Sequence, residues 1–184
     1  MATPEMMMPY TEEWADFVRS EGGSPPPVSS GNRWPTREEV IAAIEAEGLV
    51  AEPSGEEVII RAPADAPEAV NALLRHVVEV QWDEAGALQP GEQTSALARV
   101  ECQDWDRVGQ DNIALFFYGY NWSLEVFLAH RLAQSCGQLV LYSTGGGIPV
   151  VVGPDADPGR LASLWLEADG REDGCRWFYE QARQ

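Results

Sequence analysis

The chain has 184 residues, 45% hydrophobic and 23% charged, which is length and apolar content enough for one domain with a core of its own. Its 30 acidic residues face 12 basic ones, a formal charge of −18, and every basic residue is arginine. Without lysine there is no Schiff-base lysine, no P-loop lysine and no kinase strand lysine. Without a basic run, binding to nucleic-acid backbones has no source of affinity.

No stretch supplies the ~18 uncharged apolar residues of a membrane helix, and Met1–Pro9 lacks the basic and apolar regions of a signal peptide. Cys102, Cys136 and Cys175 are odd in number and too widely spaced for a zinc knuckle, which predicts a reducing compartment. The expectation is a cytoplasmic protein with no membrane contact, no cofactor and no metal. The missing lysine, beside abundant Ala, Gly, Pro and Arg, fits a GC-rich coding bias.

In chain order, residues 1–9 read as a frayed tail. Thr11 caps a short helix bearing Trp14, Phe17 and Val18, and Pro25, Pro26 and Pro27 among Ser and Gly predict an extended or flexible connection up to residue 35. Residues 1–35 are therefore set apart from a single α+β domain over 36–184. That domain opens with a helix signalled by the Thr36/Glu39 capping box, by Val40, Ile41 and Ile44, and by a stop at Gly48. Residues 49–52 and 57–62 flank a Pro53–Ser54–Gly55 turn as a hairpin. Asp65 and Glu68 cap a helix bearing Val70, Leu73, Leu74 and Val77, whose end is ambiguous because Val78, Val80 and Trp82 alternate like a strand.

Residues 96–102 and 112–120 follow as strands, the second an almost continuous apolar run that belongs in the middle of a sheet. Asn121 or Ser123 caps a helix with Leu124, Phe127, Leu128 and Leu132 on its stripe, ended by Gly137. Residues 139–142 and 148–152 are strands around Gly145, Gly146 and Gly147. Asp157 and Pro158 open a helix with Leu161, Leu164 and Trp165, and residues 173–182 form another with Trp177 and Phe178. Short links favour antiparallel neighbours, so the predicted fold is α+β: a mainly antiparallel sheet of five or six strands packed with about five or six helices.

Few residues carry recognisable chemistry. The glycine triplet is followed by another apolar strand and no lysine, so it reads as a hairpin link and not a phosphate loop. His76 and His130 are the candidate catalytic residues, as the general bases available near neutral pH, but neither sits in a metal-binding pair. Cys136 at a helix C-terminus and Cys102 beside Asp104 are placed to be inert, since both surroundings oppose a thiolate. Asp104, Asp106 and Asp111 share one connection without the regular ligand spacing of a calcium loop.

Trp105 lies among those acids, while Tyr118, Tyr120 and Trp122 lie at the far end of the next strand. Aromatic anchors rimmed by charge are a protein-interface pattern, so all seven residues are candidate binding residues, in two patches separated by the strand length. The leading expectation is an acidic protein-binding module, such as an immunity or antitoxin protein that neutralises a basic toxin, because complementary charge gives fast association. The alternative is a small enzyme or ligand-binding protein with a pocket near the 118–122 strand end and the 143–147 connection.

Overall fold

The computed structural model describes residues 4–63, 96–111, 113–119 and 122–184, with the backbone alone for Ala96 and Trp122. Strands β1 (Glu5–Pro9), β2 (Val50–Ser54), β3 (Glu57–Arg61), β4 (Ala96–Glu101), β5 (Leu115–Tyr118), β6 (Leu139–Ser143) and β7 (Val150–Val152) form one antiparallel sheet in the order β2-β3-β4-β5-β1-β6-β7. Among the described residues the helices are α1 (Glu12–Ser20), α2 (Arg37–Ala46), α3 (Trp122–Cys136), α4 (Pro158–Ala168) and α5 (Gly174–Ala182). The α+β class and the antiparallel sheet agree with the expectation, but the sheet has seven strands instead of five or six. The helix expected from Asp65 and its uncertain end at residues 78–82 lie outside the described residues.

The additional strand is β1, from the segment read as a frayed tail. Its sequence, Glu-Met-Met-Met-Pro, holds no β-branched or aromatic residue, so local propensity gives no strand signal. Ladders on both sides make it one: Glu5 and Met7 lie opposite Phe117 and Leu115 of β5, and Glu5, Met7 and Pro9 lie opposite Ser143, Leu141 and Leu139 of β6. The 24–35 connection is likewise tied down. Ser29 N donates to the Gln138 side chain at 2.8 Å, Tyr10 Oη to Pro26 O at 2.9 Å and Arg33 N to Cys136 O at 2.9 Å.

Local signals account for the rest. Thr36 and Glu39 form both bonds of the capping box, Thr11 accepts from Trp14 N, and Asp157 accepts from Arg160 N ahead of Pro158. Pro53, expected in a turn, instead lies within β2 opposite Val58. An edge strand tolerates it, because a missing N–H there breaks no ladder.

Side chains alternate between two layers. Glu5 and Met7 share one face with Val58, Val100, Leu115, Phe117 and Leu141, and α2 and α3 cover that face, with Met7, Val40, Ala43, Val100, Leu128 and Leu132 closing around a void of only about 10 Å³. Each such side chain contributes roughly 1.5–3 kcal/mol on burial. Across the sheet, Trp14 and Phe17 of α1 pack against Tyr142, the first tilted and the second edge-on, with ring centroids 5.3 and 5.5 Å away. Tyr179 of α5 is buried beside β7 and donates to Pro149 O at 2.6 Å.

Candidate functional site

The connection from β4 to β5, described at residues 102–111 and 113–114, folds back tightly. Asp104 accepts from Asp106 N and starts a short 3-10 turn over Trp105–Arg107, and Gly109 N donates to Ile113 O at 2.7 Å. Arg107 pairs with Asp111, which adopts a left-handed φ of 48°, a conformation aspartate tolerates better than most residues. Gly109 has φ of 80°, and a Cβ there would collide with the Trp34 indole, so glycine is required by both backbone and space.

The half-buried Trp105 is fastened to the neighbouring β2–β3 turn. Its Nε1 donates to Glu56 O at 2.9 Å, the same carbonyl that accepts from Cys102 N at 3.1 Å, and the Arg37 guanidinium lies 6.0 Å from its ring. Arg37 in turn donates to Gly55 O at 2.8 Å. This end of the sheet thus gathers Glu56, Glu57, Glu101, Asp104, Asp106 and Asp111 around two tryptophans, with Arg37, Arg99 and Arg107 as its cations. Trp34 and Glu56 were not singled out in the sequence, because nothing local signals that the chain before α2 and the β2–β3 turn border a connection some fifty residues or more away.

Tyr118 is tied to this end through one of its cations: it stands opposite Arg99, whose guanidinium stacks 4.4 Å over its ring while bonding Glu57 at 2.9 Å. A hollow of about 220 Å³ lies beside it, between Ile59 and Leu97. Tyr120 and the side chain of Trp122 lie outside the described residues, as does His76. His130 donates from Nε2 to Pro154 O at 3.2 Å, beside Gln134, and among the described residues has no carboxylate or thiol in hydrogen-bond reach. Burial is the main force pushing the thiols of Cys102, Cys136 and Cys175 up, the last to about 11, so burial outweighs the helix and neighbour effects read from sequence. Gly145–Gly147 joins β6 to its antiparallel neighbour β7, a strand-to-strand link. Among the described residues, no group of three or more His, Cys, Asp or Glu could hold a metal ion, and no helix is long and apolar enough to cross a membrane.

Two acidic residues that the sequence reading passed over are buried. Glu5 is 5% exposed and Glu125 is 0% exposed; among the described residues, Glu5 Oε2 and both carboxyl oxygens of Glu125 have no hydrogen-bond partner. Burial pushes the Glu5 carboxyl up to about 7, and burial together with the charge of Glu5 pushes Glu125 well above the carboxylate range. A signal for Glu125 existed: residues 125, 128, 129, 132 and 136 fall at helical spacing on one stripe, and all are buried. The two strand ends expected to flank a pocket, at Tyr118 and at Ser143, stand on either side of Glu5. The larger groove, about 330 Å³, opens elsewhere, over Val151, Phe178 and Tyr179 and rimmed by Asp155, Asp157 and Arg160.

Compared with protein families, curated proteins and solved structures, the chain matches none.

Proposed function

We propose that the protein binds a basic protein partner through the acidic, tryptophan-bordered end formed by the β2–β3 turn and the 102–113 connection. One observation carries this reading: every arginine among the described residues is already engaged. Arg19, Arg33, Arg61, Arg99, Arg107, Arg131, Arg171 and Arg176 pair with the protein's own carboxylates. Arg37, Arg160 and Arg183 donate to backbone carbonyls. Exposed carboxylates such as Glu56 and Asp106 are left without a counter-ion among the described residues. So are Glu13 on α1, Glu21 just after it, and Glu172 after α4. Half-buried indoles stand there too, Trp14 on α1 and Trp177 on α5; what marks out the end at the β4–β5 connection is that it brings two of them, Trp34 and Trp105, to one set of acids, combining area with charge as interface anchors do.

The net charge of −18 favours fast encounter with a cationic protein. Neutralising a basic toxin domain, as immunity and antitoxin proteins do, is the concrete task this suits. The test is calorimetric titration against a panel of small basic proteins, at low salt and at ~0.5 M, where the Debye length shrinks to ~4 Å. Binding at low salt that weakens at least tenfold in Trp105→Ala and in a Glu56→Gln/Asp106→Asn double variant supports the reading. Equal affinity of the variants, or no binding to any basic protein, overturns it.

A second reading, a ligand-binding protein, draws on the groove over Phe178 and Tyr179, whose volume falls within the range of small-molecule sites.

A further inference from the structure

We propose that Glu5 and Glu125 form a buried pair of neutral carboxylic acids that couples the packing of β1 against α3 to pH, loosening it as pH rises through neutrality. The inference is independent of the partner-binding reading, since neither residue reaches the surface.

The argument starts from placement. Glu5 occupies the inward position of β1 at its first residue, and Glu125 occupies the inward stripe of α3 in its first turn. An ionised carboxylate in an apolar interior is strongly disfavoured unless a cation or several donors compensate it, and three oxygens of this pair have no partner among the described residues. The described residues that face them on the neighbouring strands and along the helix offer no charge. Across the ladders stand Phe117 on β5 and Ser143 on β6, and along α3 the neighbours on the stripe are Leu128 and Ala129. Charged residues of the elements that flank α3 are committed elsewhere: Glu47, beyond α2, pairs with Arg131, Arg160 of α4 donates to Gln181 O, and Arg33 pairs with Glu39. Each carboxyl is therefore most stable with its proton, and two of them together resist ionisation more than either alone. Full burial of Glu125 keeps substrate away, so the pair is not a catalytic acid and base in this conformation.

The direction of the coupling follows. Below about pH 4.5 both the folded and unfolded chains hold these protons, and the pair is neutral in stability. Above it the unfolded chain releases them while the folded chain keeps them, to about 7 for Glu5 and higher for Glu125. Across that window the folding equilibrium falls about tenfold per pH unit for each carboxyl kept neutral. Because β1 lies between β5 and β6, ionisation acts on the middle of the sheet.

The experiment is denaturant unfolding of the full chain from pH 4.5 to 8.5 for wild type, Glu125→Gln and Glu5→Gln. It is accompanied by an infrared or carbon-NMR measurement of protonated glutamic acid at pH 7. The expected result is a wild-type midpoint that declines with pH more steeply than that of either variant, and a protonated-acid signal at pH 7 that Glu125→Gln reduces. Should a variant fail to fold, the spectroscopic signal in wild type still decides. Parallel pH profiles, or no protonated acid at pH 7, overturn the proposal. So does restoration of wild-type stability at pH 8 by magnesium, calcium or manganese ions, which would make the pair a cation site.

Discussion

At the C-terminal end of α3 the carboxylate of Glu39 accepts from Arg33 at 2.6 Å, from Thr36 N at 2.9 Å and from Cys136 Sγ at 3.6 Å. Near the N-terminal end, Glu125 accepts from none of the described residues. Hydrogen bonding to Arg33 holds Glu39 down to about 2, whereas burial drives Glu125 far the other way. The same side chain, at places eleven residues of helix apart, is a fixed anion in one and a neutral acid in the other. Ionisation here is decided by donors and solvent, not by residue type. The carboxylates of the 102–113 end form a third case, charged and exposed, available to something outside the molecule.

The contrast can be broken or sharpened by substitution. Leu128→Ala, one turn beyond Glu125 on the same stripe, should lower stability by about 2–5 kcal/mol at every pH, because it removes contacts in a closed core. Chemical denaturation at pH 5 and 8 checks this, and a pH-dependent loss would mean that the pair and the apolar core are not separable. Glu5→Gln should instead raise stability at pH 8, by on the order of 1–3 kcal/mol, and have little effect near pH 4.5. A raised folded-state pKa costs stability only once the unfolded chain ionises.

Glu39→Gln has the opposite sign. A depressed folded-state pKa contributes stability above about 4.5 that is lost as pH falls toward 2, so the variant should be about 1–2 kcal/mol less stable at pH 7, with the gap closing in acid. Thermal melts in a pH series would show it, and a constant gap down to pH 2 would contradict the assignment. Smallest of all, Asp106→Asn at the exposed end should change stability by less than about 0.5 kcal/mol while reducing the salt dependence of binding to a basic protein. A large loss of stability there would mean that the side chain supports the connection and is not a free surface charge.

Much of the fold was legible because its signals are local. The Thr36/Glu39 box, the Asp157–Pro158 helix start, the alternation of β3 and the apolar run of β6 each depend on residues within a turn or two of each other. Trp105 and its acidic neighbours were legible as candidates for the same reason. What escaped notice depends on chain far away: β1, whose methionines become a strand through pairing with residues more than one hundred positions on, and Trp34, brought to Gly109 by the path of the 24–35 connection.

By itself, then, the sequence determined the class of fold, the helix starts, the acid excess and the lack of any lysine chemistry, since propensity, capping and charge count are properties of short stretches. Tertiary structure alone decided which carboxylates keep their protons and which strand lies between β5 and β6. Both depend on how much water and how many donors remain once distant segments have packed together.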